Sequence, residues 1–454
     1  MGMNKKVILL KRKDDRPMKN IKITSVDKIC EKNGISFFHV ESNKFKTVLI
    51  DIFLADPLDK KRAVQNALIP HILKRGCSRY PTQQELALRL EELYGASING
   101  GVSKFGEYQI VHLNAGFVSD QYTVNKANLF EEVGDILFEI LTEPVIKDGM
   151  FNEDYFQQER ENLIQRIRSR VNNKMYYSLE RCMEEMCSDE PFAVYRDGDE
   201  EGAKALTNQE LMFRYEQLLS RSPIYVYISG NVSDEQIQKF IDKFDALKRE
   251  SIISLPPIKV KKEVQEIRHI EEPMDVSQGQ LCLGFRTQIE AGDPMYYPLV
   301  IYNGIFGGGV HSKLFQNVRE KESLAYSTFS TIEKFKGLLV ACSGIDISQR
   351  EKAEKTITDQ LRAIENGDIS DYELEATKKS LETGLKSMQD SQGAMVSFYF
   401  SQNLSGQNDS ATNYIDKLNA VTKDDVVGVA KKITQDTVYF LTSLSGEGER
   451  REEK

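Results

Sequence analysis

Apolar and polar positions alternate near the start of each half of the chain, and each alternating tract gives way to a helical period. Residues 34–54 (GISFFHVESNKFKTVLIDIFL) alternate well enough for two strands, and residues 59–74 repeat at helical spacing up to Gly76. In the second half, residues 280–286 (QLCLGFR) predict a strand and residues 294–306 a helix closed by Gly307. Strand pairs broken by polar turns follow over residues 94–118 and 324–346. Long amphipathic helices are predicted over 128–141 and 153–186, then over 351–365 and 371–385. A late strand ends each half, at 224–229 and 438–443. The two orders correspond. They predict an α+β fold of two tandem homologous repeats, each a mixed or antiparallel sheet with helices on one face.

Between the halves, Pro256, Pro257 and Pro273 stand among charged residues, a composition that suits an extended linker. The predicted division is a first repeat over 1–254, a linker over 255–279 and a second repeat over 280–454. Residues 446–454 are polar and charged and are expected to fray.

Composition then narrows the function classes. A chain of 454 residues has room for two or three domains and an extensive core. Hydrophobic residues make up 40% and charged residues 28%, and no apolar run approaches the roughly 20 residues of a membrane helix, so no membrane partner is expected. The apolar part of residues 1–15 is too short for an export signal. The 6 cysteines form no Cys-x-x-Cys pair, which points to reduced thiols and a cytoplasmic location. A formal charge of −9 argues against nucleic acid as a partner.

Three stretches carry candidate chemistry. The first-half helix contains Ala67-Leu68-Ile69-Pro70-His71, a later helix runs from Glu159 to Arg166, and the second half carries NGIFGGGVHSKLFQNVREKESLAY from Asn303 to Tyr326. Together they resemble the insulinase/pitrilysin/processing-peptidase family, over nearly the whole chain. Members of that family carry an inverted zinc motif, His-x-x-Glu-His, on the first helix and a third ligand, Glu, on the later one. In such a motif two imidazoles at i and i+4 share the ion while the intervening Glu activates a bound water. Here Ala67 stands for the first His, Pro70 for the Glu and Arg166 for the third ligand, so His71 alone is kept. Ala67 has no donor atom. Pro70 lacks both a carboxylate and a backbone N–H, costs about 3 kcal/mol in a helix interior and predicts a kink. A cation at Arg166 opposes a metal. The resemblance therefore implies a degenerate zinc site, with no metal and no cofactor.

No other site replaces it. His39, His112, His269 and His311 lack ligand spacing, and His269-Ile270-Glu271-Glu272 meets Pro273 where a second His would belong. Residues 304–309 (GIFGGG) are followed by Val310, not by the Lys-Ser/Thr of a phosphate loop, and no Gly-x-Ser-x-Gly elbow occurs.

The second-half segment is similar to the family's Gly-Gly-Gly-x-x-Ser-x-Leu-Phe-x-x-x-Arg-Glu-Lys followed by Leu-Ala-Tyr. By that resemblance Arg319 and Tyr326 bind substrate backbone, a role that a guanidinium fork and a phenol suit chemically. The competing reading has Arg319 in an ion pair and Tyr326 half buried, both holding a junction. Ile98-Asn99-Gly100-Gly101 resembles the family's edge strand, which pairs with an extended peptide, and makes Asn99 a candidate substrate contact against an ordinary sheet edge. The expected function is a non-catalytic subunit that forms a heterodimer with a zinc-bearing relative, completes its chamber and positions extended peptide. The alternatives are a peptide-binding or scaffold module without peptidase activity, and a self-sufficient metallopeptidase with other ligands.

Overall fold

The computed structural model describes residues 26–124 and 127–444, so the readings of residues 1–15 and 446–454 lie outside the described residues. In the first half, strands β1 (Val26–Lys32), β2 (Ile35–Glu41) and β3 (Thr47–Pro57) precede helices α1 (Lys60–Leu73) and α2 (Gln83–Glu92). The hairpin β4 (Ser97–Phe105) and β5 (Tyr108–Val118) leads to α3 (Leu129–Thr142) and the two-residue strands β6 (Ile146–Lys147) and β7 (Met150–Phe151). Helices α4 (Glu153–Ser169), α5 (Lys174–Met186), α6 (Glu200–Ala205) and α7 (Asn208–Arg221) are followed by β8 (Ile224–Gly230) and α8 (Asp234–Lys243). The second half begins with β9 (Arg268–Met274), β10 (Gly279–Arg286) and α9 (Tyr296–Gly307). It continues with β11 (Ala325–Glu333), β12 (Leu338–Ile345), α10 (Arg350–Glu365), α11 (Asp371–Met388), α12 (Gln392–Leu404), α13 (Ala411–Ala420), α14 (Lys423–Ala430) and β13 (Thr434–Ser443).

These elements build an α+β fold with one large sheet per half. The first sheet has the order β1-β2-β8-β3-β5-β4, antiparallel except where β2 meets β8. The second has the order β11-β12-β10-β13-β9, antiparallel except where β13 meets β9. Period-two alternation in β3 sends Ile50, Ile52 and Leu54 to a core shared with α1, α3, α7 and α8. Phe53 and Ala55 point to the opposite face.

That opposite face is covered by a helix from the other half. Met395, Val396, Tyr399 and Phe400 of α12 pack with Phe38, Phe53 and Tyr227 of the first sheet. Reciprocally, Leu179, Cys182 and Met186 of α5 pack with Cys282, Val340 and Tyr439 of the second. Gly284 makes room for this: a Cβ there would lie 2.3 Å from the Met186 sulfur. Each half thus contributes one helix to close the other's sheet. A buried charge network adds to the join, with Arg286 donating to Asp436 at 2.9 Å and Lys336 bonded to Glu107 at 2.5 Å and to Glu190.

Three local expectations change. The helix expected over 153–186 breaks after Ser169, because Asn173 leaves the helical conformation and caps α5 by accepting from the Tyr176 N–H at 3.2 Å. The proline-bearing stretch expected as an extended linker contains β9, whose pairing with β13 fixes Arg268 opposite Thr437. Finally, reduced thiols were expected throughout, yet Cys282 and Cys342 are joined by a disulfide. They lie 60 residues apart in sequence but are register partners on β10 and β12, a proximity that no local spacing encodes. Cys30, Cys77, Cys182 and Cys187 are free thiols. Among the described residues no helix is long and apolar enough to cross a membrane.

Candidate functional site

Helix α1 starts at Asp59, whose carboxylate accepts from the N–H groups of Lys61 and Arg62 at 3.1 and 3.0 Å. Its buried side is unusually polar. Asn66 is fully buried and donates to Gln109 at 2.9 Å, while Arg214 of α7 donates to Asn66 at 2.8 Å and pairs with Asp56 at 2.7 Å. Gln109 in turn donates to the carbonyls of Ala63 and Arg196. This network pins α1 to β3, β5 and α7, although one terminal nitrogen of Arg214 is enclosed without a hydrogen-bond partner. The helix runs unbroken through Pro70 to Leu73, so the expected kink does not end it. Pro70 is buried against β4, where a Cβ on Gly100 would come within 3.3 Å of the Pro70 Cβ.

One turn after Ala67, the half-buried His71 opens into a cavity of about 440 Å³ between α1, α2, β4 and α4. Lys74, Arg75, Glu159 and Asn162 line its polar side, and Leu86, Leu90 and Ile98 its apolar side. Burial first, then the Arg166 and Lys74 charges and His112, press the His71 pKa down to about 3, which keeps the imidazole neutral near pH 7. Glu159 is the carboxylate of this cavity, and Arg75 occupies it with an Nε–H bond of 2.7 Å. Arg166 is half-buried, and one of its terminal nitrogens is enclosed without a hydrogen-bond partner.

A catalytic zinc ion needs three protein donors and an open position. His71 supplies one, Ala67 and Pro70 supply none, Arg166 repels the ion, and Glu159 is engaged by Arg75. Among the described residues no cluster of three His, Cys, Asp or Glu side chains could hold a metal ion. The residues present do not fit zinc. The structure thus brings His71 and Arg166 into one neighbourhood with Lys74 and Arg75, and the cavity is cationic where the family's motif is anionic.

Arg319 and Tyr326 occupy the second half. No hydrogen bond or ion pair joins them to the His71 group among the described residues. Arg319 ends a wide, π-type helical segment, Leu314–Lys321, and lies over the Phe315 ring at 4.8 Å and 3.5 Å from Glu320. Tyr326 sits at a register shift where Ala325 and Ser327 oppose consecutive residues of β12, and it is 73% exposed. Bulges of this kind re-aim a side chain, and here the ring is turned out of the core. Tyr326 lies on β11, an end strand of the second sheet, and Arg319 on the helical segment that precedes it. Gly307 has a packing use: a Cβ there would meet the Ser330 backbone nitrogen at 2.5 Å. Nearby, His311 bonds Thr377 at 2.9 Å and the buried Lys313 pairs with Glu373 at 2.9 Å, so these residues hold α11. Asn99 is exposed on β4, which is the free end strand of the first sheet and pairs Asn99 with Asn114.

Two features escaped the sequence reading. The Arg75–Glu159 pair depends on how α1 and α4 align, which no spacing records. Asp51 did leave a signal, as the one charged residue in the run VLIDIFLA of β3.

Comparison with known proteins finds relatives over nearly the whole chain. Residues 205–381 match the family model described as peptidase M16 inactive domain. The chain is 33% identical over 413 residues to the probable inactive metalloprotease YmfF of Bacillus subtilis, covering 91% of this chain and 97% of that one. It is 24% identical to the uncharacterized zinc protease YmxG of the same organism, covering 73% and 80%. A conserved protein from Enterococcus faecalis shares the fold with a TM-score of 0.85 and 28% identity, covering 95% and 99%. A Helicobacter pylori protease, at 16% identity and a TM-score of 0.76 over 92% and 100%, shows likeness of fold alone. On its near end-to-end similarity to YmfF, the chain belongs to the M16 peptidase family.

Proposed function

We propose that this chain is the non-catalytic half of a two-chain M16 peptidase: it pairs with a zinc-bearing relative, completes the chamber and positions extended peptide there. The observation that carries this reading is a contrast within the chain. The cavity around His71 is lined by Lys74 and Arg75, with Arg75 holding its carboxylate Glu159, whereas Arg319 and Tyr326 are exposed and make no strong contact of their own among the described residues. Groups left free in this way suit use by another chain's chemistry, where a guanidinium and a phenol would steady a carbonyl oxygen. The free edge of β4, with Asn99 exposed on it, suits an extended peptide added as a further strand.

The test is reconstitution. Mixed with a zinc-bearing relative, the chain forms a stable heterodimer and raises peptide turnover, and alanine at both Arg319 and Tyr326 lowers that turnover about 100-fold without loss of pairing. Pairing with turnover indifferent to both residues assigns the chain a scaffold role instead. Absence of pairing removes the proposal.

A further inference from the structure

The largest polar anomaly of the first sheet lies away from the motif. Between the β3–β5–β4 surface and α12 is a cavity of about 660 Å³, within the size range of small-molecule sites. Its floor carries Asp51, 6% exposed, which makes no hydrogen bond or ion pair among the described residues. Beside it stands Asn114, its register partner on β5. Phe53 and Phe400, stacked at 4.1 Å, form one wall, and Phe105 meets Phe400 edge-on at 5.5 Å.

A carboxylate left alone in such a place costs stability, and an apolar residue would fill it at no such cost. Its surroundings nevertheless suit a particular ligand. Aromatic rings attract cations, a carboxylate pairs with them through charge-assisted hydrogen bonds, and the Asn114 side-chain carbonyl can accept a further N–H. The other titratable groups lining the cavity are Tyr94 and His112. Burial and the Lys74 charge hold the His112 pKa low, so its imidazole is neutral near pH 8. Among the described residues that line the cavity, Asp51 is therefore the single source of formal charge.

We propose that this cavity is a binding site for a primary ammonium group, with the Asp51 carboxylate as counter-ion, the Asn114 amide oxygen as second acceptor and the phenylalanine rings around the alkyl chain. Such a group can come from a free alkyl amine or from a lysine side chain of a peptide. The inference does not rest on the pairing of two chains and is tested on the isolated protein.

Isothermal titration of the full chain near pH 8 with 1,5-diaminopentane tests the first source, with 1-pentanol as the uncharged control. A short peptide with one lysine, against the same peptide with norleucine, tests the second. Saturable binding of either amine probe, absent for its uncharged counterpart and weakened at least about tenfold in Asp51→Asn, supports the site and identifies its source. A thermal melt of the Asp51→Asn variant verifies that it remains folded. Carboxyl-carbon NMR gives a second readout, because a bound ammonium lowers the Asp51 pKa. If neither amine binds the wild-type chain, or if Asp51→Asn binds as tightly as wild type, the assignment is wrong.

Discussion

Pro70 of α1 lies against Gly100 of β4 in the first repeat, and Gly307 of α9 lies against Ser330 of β11 in the second. The plan is shared: a helix delivers its end to the edge strand of a hairpin. Their surroundings differ. In the first repeat, Arg75 takes the Glu159 carboxylate, and Lys74 and Arg166 add charge around a neutral His71. In the second, close backbone contact leaves Arg319 and Tyr326 turned outward. One region has thus lost its acceptors to internal pairing, and the other keeps its donors free. The contrast teaches that charge placement matters beside ligand identity, because the cations around His71 disfavour a metal ion beyond the want of further donors.

The strongest way to break the comparison is to release Glu159. Arg75→Ala leaves that carboxylate, with its side chain 9% exposed, without its ion-pair partner and with only the Asn162 amide, at 3.3 Å, still donating to it among the described residues. Removing one member of a buried pair costs about 3–5 kcal/mol, less whatever Lys74 recovers by moving in. Urea denaturation measures the loss, and an unchanged midpoint would show that the pair does not hold α1 to α4.

The next effect concerns the far face of the same sheet. Burial raises the Asp51 pKa from 3.8 to about 7. The folded chain therefore holds this proton where the unfolded chain has released it, so stability falls as pH rises from about 4 to about 7 and the full cost stands above that. The difference corresponds to a penalty on the order of 4 kcal/mol at most. Asp51→Asn is expected to flatten this part of the stability profile and to be more stable than wild type near pH 8. Denaturation midpoints of both proteins at several pH values supply the check.

Smaller again is the cost of filling the glycine contacts. Gly307→Ala drives a Cβ to 2.5 Å from a backbone nitrogen that side-chain rotation cannot move, for a loss of about 1–3 kcal/mol. At Gly100 the closest atom is the Leu113 methyl, at 2.6 Å, which can rotate, although the His112 carbonyl at 2.9 Å cannot. Gly100→Ala is therefore expected to cost less, and paired melting curves rank the two.

How much of this was legible in the sequence follows from the range of each interaction. Alternation in β3 and β5 and the helical period after Asp59 are local, and they set strands and helix as expected. The absence of metal donors at Ala67 and Pro70 was legible for the same reason, since side-chain chemistry and short spacings are read directly from the chain. The exchange of α5 and α12 was not, because an amphipathic helix reveals that it must bury a face but not which sheet receives it. The Cys282–Cys342 bond and the Arg75–Glu159 pair required strand register and helix alignment respectively. Exposure of Tyr326 came from a register shift in β11, which alternation alone does not reveal.

The smallest expected effect sharpens the comparison most. Among the described residues the ionic and ring contacts of Arg319 are to Phe315 and Glu320, its own neighbours on the π-type segment, and Tyr326 is largely in solvent. Alanine at either position should shift unfolding free energy by no more than about 0.5 kcal/mol, as for other exposed sites. If they held the junction between helix and strand, the loss would resemble that of Gly307→Ala. Urea titration of the two single variants therefore separates a structural duty from a free one before any partner chain is in hand. A near-zero shift leaves these side chains available for a ligand, and a loss above about 1 kcal/mol would mean that the fold already uses them.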